Sequence, residues 1–135
     1  MLSPFILFPL VQKTFFVPFV SFCKTPLVVP ELKLLVTTFA KEEQATGVVR
    51  TLVRERLVAC GTLLRGARSI YVWQDQLEDA DEIVVLFKTT AAAVPKAAER
   101  LKELHPYECP EILVLSPECA NAAYAQWVGD NVNHG

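Results

Sequence analysis

Two stretches of this chain repeat their apolar residues at helical spacing, and each is flanked by runs of β-forming residues. Ala45, Val48, Val49, Leu52 and Val53 fall at i, i+3, i+4, i+7 and i+8, one apolar stripe on a helix expected over residues 41–56. Glu42 and Glu43 lie in its first turn and Arg54 and Arg56 in its last, as the helix dipole favours. Gly47 interrupts this helix at a local cost of about 1 kcal/mol, which suggests close packing on a sheet. Val94, Ala97, Ala98, Leu101 and Leu104 form the second stripe. Pro95 fits only in a first turn, and Pro106 disfavours helical geometry at residue 105, so the second helix is expected over 94–104.

The segments between the stripes read as strands. Residues 33–38 are a short apolar, β-branched run. Residues 57–64 and 69–73 read as strand interrupted by a turn or bulge at 65–67, and the polar, acidic stretch 74–81 reads as a hairpin connection. Residues 82–89 are the strongest strand, and their nearly continuous apolar run suggests a central position covered on both faces. Residues 111–115 give a fourth strand and 122–132 a short third helix. The order β-α-β-β-α-β plus a helix predicts an α/β (α+β) domain of the ferredoxin-like, split βαβ kind with right-handed crossovers. Both helices then cover one face of the sheet. The other face, with Tyr71, Trp73 and the run 83–87, is too apolar to leave in water, and a second subunit is the simplest cover.

A change in composition sets the domain boundary. Residues 1–31 carry Phe5, Phe8, Phe15, Phe16, Phe19 and Phe22 among several prolines, with Lys13 and Lys24 as basic residues. The lysines, Pro9 and Pro18 break what would otherwise approach a spanning helix of about 20 residues, so no stable membrane insertion is expected. No basic n-region or small-residue cleavage site marks a signal peptide. Residues 1–31 are therefore expected to be a poorly ordered extension outside a domain at 32–135, with a weak targeting role as the second reading. The net charge of −2 and the lack of a basic stripe exclude nucleic acid as a partner. The four cysteines, Cys23, Cys60, Cys109 and Cys119, form no C-x-x-C pair, and are expected to be free thiols in a reducing, cytoplasmic setting.

Five segments carry a resemblance. RLVACG (56–61), SIYVW (69–73), FKTT (87–90), LHPYECPEI (104–112) and YAQW (124–127) come in this order, and together they resemble the CutA divalent-cation tolerance family. The resemblance covers residues 34–132. It implies a tight homotrimer built like the PII signalling proteins, tolerance of copper or other divalent cations, and no catalysis. The copper ligands proposed in bacterial members are a first-strand cysteine and two adjacent histidines. Here those positions carry Thr37, Leu104 and His105, so His105 is the candidate metal ligand that the resemblance leaves.

Read from the residues themselves, His105 is either a helix-end cap or a ligand contributed to a site shared between subunits. Cys109 lies close to it in sequence, in a loop, and a His105–Cys109 pair would suit copper or zinc. Cys60 is a small buried hydrophobe, or a thiol facing a cleft. Lys88 is a candidate to pair with a carboxylate such as Glu108 across a subunit cleft, or to hold an anion. Tyr107 and Trp127, with Tyr71 and Trp73, are candidate cleft or interface aromatics. Glu78, Asp79, Asp81 and Glu82 read as a solvated hairpin tip, with a loose divalent-cation surface as the weaker reading. Three functions compete: a trimeric metal-handling protein, a PII-like sensor or scaffold, and a thiol enzyme using Cys60 or Cys109 with His105 as base.

Overall fold

The computed structural model describes residues 30–133. The expectations for residues 1–29 lie outside these. The elements run β1 (Leu32–Phe39), α1 (Glu42–Arg54), β2 (Cys60–Trp73), β3 (Gln76–Thr90), α2 (Val94–Leu104), β4 (Leu113–Leu115) and α3 (Ala122–Asp130). The sheet order is β2-β3-β1-β4 with every neighbouring pair antiparallel, the ferredoxin-like arrangement expected of the element order.

The two stripes do what their periodicity requires. Ala45, Val48 and Leu52 of α1, and Ala97 and Leu101 of α2, are buried against Leu35 and Phe39 of β1 and Val85 and Phe87 of β3. A second, smaller cluster joins Ala59, Ala93, Val128 and Val132, with Tyr124 and Trp127 packed on it, and seats α3 at one end of the sheet. Pro95 occupies the first turn of α2. The α1 helix stops at Arg54, short of the expected 56, because Arg56 takes a left-handed φ of 55°. There the amide of Arg56 donates to Val53 O and that of Leu57 to Leu52 O, the paired bonds of a Schellman ending.

The largest departure is the hairpin. Residues 74–81 are not a loop: the connection is Gln74 and Asp75 alone, at φ 48° and 62°, as a two-residue type I′ turn requires. Residues 76–81 pair in β3 against 68–73 of β2. The acidic residues are thus strand residues rather than a solvated tip, and Asp79 forms an ion pair with Arg68. The break expected at 65–67 is present as a register shift between Leu64 and Ala67, with Gly66 at φ 80°. β2 begins at Cys60, so residues 57–59 precede it, and β4 and α3 are shorter than expected.

Gly47 corrects a second expectation. A Cβ there would meet nothing within 4 Å, whereas at Gly61 it would come within 2.9 Å of both Val49 methyls. The glycine that a close helix–sheet approach requires is Gly61. β3 is central in the sheet, but its apolar residues are fully covered on the helix side alone: Val85 and Phe87 are 0% exposed, while Val84 and Leu86 on the opposite face are half-buried.

Candidate functional site

The HPYE stretch follows α2 and folds back onto the end of β1. His105, where α2 ends, is 7% exposed and its ring stacks on Phe39 at a centroid distance of 4.4 Å. Its Nε2 lies 3.0 Å from the Thr38 carbonyl and 3.1 Å from Thr37 Oγ1. The Tyr107 amide donates to Nδ1 at 3.1 Å. An acceptor at Nδ1 and a carbonyl at Nε2 define the neutral tautomer with the proton on Nε2. Burial holds the imidazole pKa below its ordinary value, opposed by the Thr38 carbonyl and by the charge of Glu82. Thr37 and His105, positions 68 residues apart that the resemblance assigned to a metal, therefore touch. Both ring nitrogens are engaged by the chain itself. Leu104, the third position, packs against the core.

Next to His105 a carboxylate is sunk into the other face of the sheet. Glu82 is 7% exposed. The Tyr107 hydroxyl donates to its Oε1 at 3.0 Å, and the Ser69 hydroxyl donates to its Oε2. Burial and the carboxylate push the Tyr107 phenol up to about 12. These three residues line a cavity of about 670 Å³ together with Thr38, Ile70, Tyr71, Trp73, Glu108, Cys109 and Glu111. Sequence reasoning missed Ser69 and misplaced Glu82. The available signal was the alternation of β3, which puts Glu82, Val84 and Leu86 on one face.

The expected site residues fall into two groups. His105, Tyr107, Glu108 and Cys109 gather at the end of β1, with Glu108 and Cys109 on the cavity wall and His105 not among its lining residues. Cys60, Lys88 and Trp127 lie toward the other end of β3, where Cys60 sits opposite Lys88 in register. Lys88 does not reach Glu108 within the chain: its amine donates to Thr62 Oγ1 and to the Leu86 carbonyl. Cys60 Sγ lies 3.8 Å from the Tyr124 hydroxyl, whose pKa rises to about 12 through burial and this contact. Trp127 stacks on Tyr124 at 5.8 Å. Cys60 and Cys109 are free thiols. Cys119 is disulfide-bonded, which corrects the expectation of a free thiol there.

Among the described residues no group of three or more His, Cys, Asp or Glu side chains converges to hold a metal ion. The donors that the described residues bring together thus fall short of the four that a closed structural zinc site uses. Among the same residues no helix is long and apolar enough to cross a membrane.

Known proteins give a consistent comparison. A family model described as CutA1 divalent ion tolerance protein matches residues 33–131. The divalent-cation tolerance protein CutA of Thermus thermophilus is 40% identical over 99 residues, which covers 73% of this chain and 96% of that protein. That of Pyrococcus horikoshii is 38% identical over 95 residues, covering 70% and 92%. The crystal structure of CutA from Xylella fastidiosa matches with a TM-score of 0.74 at 37% identity, over 76% of this chain and 99% of that one.

Proposed function

As the chain belongs to the CutA1 divalent ion tolerance family, we propose that it is a homotrimeric, non-catalytic protein that binds copper or another divalent cation as part of the cell's response to metal. The contact of Thr37 with His105 carries this reading. It keeps together two positions associated with metal in the resemblance, while replacing a thiol by a hydroxyl. Ligands for a complete site would come from more than one copy. Cys109, exposed and free, would supply a soft donor, and His105 would join it once Nδ1 releases the Tyr107 amide. The exposed apolar hairpin supports assembly: Ile70, Val72 and Leu77 are 65%, 67% and 74% exposed, a patch that water disfavours.

Absence of catalysis is supported by the thiols' surroundings. Cys60 faces the Tyr124 hydroxyl, and the His105 lone pair is already bonded, so among the described residues neither thiol has a free imidazole as base. Titration calorimetry of the full chain with copper(II) and zinc(II) tests the metal reading. Saturable binding at micromolar metal, weakened in Cys109→Ser or His105→Gln, is expected. Its absence would remove metal binding and leave the fold untouched.

A second reading, a PII-like sensor or scaffold, is favoured by the cavity, whose wall includes Tyr107 and Glu108. Ligand or partner binding that is unaffected by alanine at Tyr107, Glu108 and Lys88 would dismiss it.

A further inference from the structure

The cavity beside β1 has an unusual charge balance. Among the described residues of one chain, three that line it are carboxylates, Glu82, Glu108 and Glu111, three are aromatic, Tyr71, Trp73 and Tyr107, and none is Lys, Arg or His. Glu82 is 7% exposed, yet among the described residues it forms no ion pair. Its hydrogen-bond donors are the hydroxyls of Ser69 and Tyr107, which fill two of the roughly four lone-pair directions of a carboxylate. A buried anion stabilised only by neutral hydroxyls attracts a cation. The volume of about 670 Å³ lies in the range of small-molecule sites.

The lining selects the kind of cation. A hard metal ion demands about six or more oxygens at short range, and no cluster of three or more donors is assembled here among the described residues. Aromatic residues lining a cavity with a buried carboxylate instead suit a soft, weakly hydrated organic cation, held by ring quadrupoles and one buried charge. We propose that this cavity binds a small organic cation of the quaternary ammonium or amine class, with Glu82 as its counter-ion and Tyr71, Trp73 and Tyr107 as its aromatic wall. The proposal rests on the ligand-binding second reading above; Cys109, the soft donor of the metal reading, lines the same cavity.

Choline and its uncharged isostere, in which a quaternary carbon replaces the nitrogen, discriminate the outcomes. Both are titrated calorimetrically into the full-length protein with a metal chelator present. Saturable choline binding is expected, with the isostere weaker by about tenfold or more. E82Q keeps the size of the side chain and should lose that preference while its thermal unfolding transition is retained. If E82Q does not fold, E111Q on the exposed rim should weaken choline in the same direction by a smaller factor. Equal binding of choline and isostere would overturn the charge assignment and leave the ligand-binding reading standing. No saturable binding of either, as when a second copy fills the cavity, would overturn both.

Discussion

His105 illustrates how a residue's chemistry is set by its neighbours. Its Nε2–H is spent on the Thr38 carbonyl and its Nδ1 lone pair on the Tyr107 amide, so protonation would set two donors against each other at Nδ1. Burial adds to this in holding its pKa below the ordinary 6.5. Because the folded pKa is depressed, the unfolded chain takes up this proton first as the pH falls. The stabilisation is therefore full above the unfolded pKa and declines as pH drops below about 6.5 toward the folded value. Urea unfolding midpoints at pH 7.5 and 5.5 should converge on those of His105→Gln at the lower pH. A constant gap between the two proteins would contradict this origin. Gly47 is the simpler case. Its Cβ position is open, so Gly47→Ala should stabilise by about 0.5–1 kcal/mol, read as a higher unfolding midpoint at unchanged m-value.

At the scale of elements, strain collects where chain direction changes. Gln74 and Asp75 both hold left-handed φ without being glycine, at an expected cost of about 1–2 kcal/mol per residue, less for an aspartate. Replacing them by Asn and Gly, the residues that favour this turn, should raise the melting temperature without altering the strand register. Arg56, left-handed at the end of α1, should behave alike: Arg56→Gly is expected to gain about 1 kcal/mol in chemical denaturation. At Gly61 the opposite holds. A Cβ there would collide with Val49, so Gly61→Ala should destabilise by about 1–3 kcal/mol, measured in the same way.

For the whole molecule, the uneven distribution of apolar surface matters most. The helix side of the sheet closes over Leu35, Phe39, Val85 and Phe87 at 0% exposure, while the long hairpin presents Ile70, Val72 and Leu77 to solvent and β4 leaves Leu113, Val114 and Leu115 half exposed. A β4 of three residues on the sheet edge also offers unpaired backbone groups that another strand can use. If copies assemble through the hairpin, Ile70→Asp combined with Val72→Asp should shift the sedimentation coefficient to that of a monomer, with the circular dichroism spectrum retained. A double variant that still sediments as the wild type would place any interface elsewhere.

Local periodicity carried much of this fold. The stripes at 45–53 and 94–104 specify helices because 3.6-residue spacing puts each stripe on one side, and they bound α2 at Val94–Leu104 through Pro95 and Pro106. The ordered segments from RLVACG to YAQW likewise pointed to the family. The hairpin itself was legible but its length was not, because Gln74-Asp75 lacks the glycine that marks such tight turns, and acidic side chains suit a solvent-facing strand as well as a loop. Nor was the site. That Thr37 meets His105 across 68 positions, that Glu82 is buried under Tyr107, and that Lys88 turns to Thr62 depend on sheet register and on where the chain after α2 folds back. Those are long-range relations, and a sequence read through local spacing does not contain them; the packed sheet does.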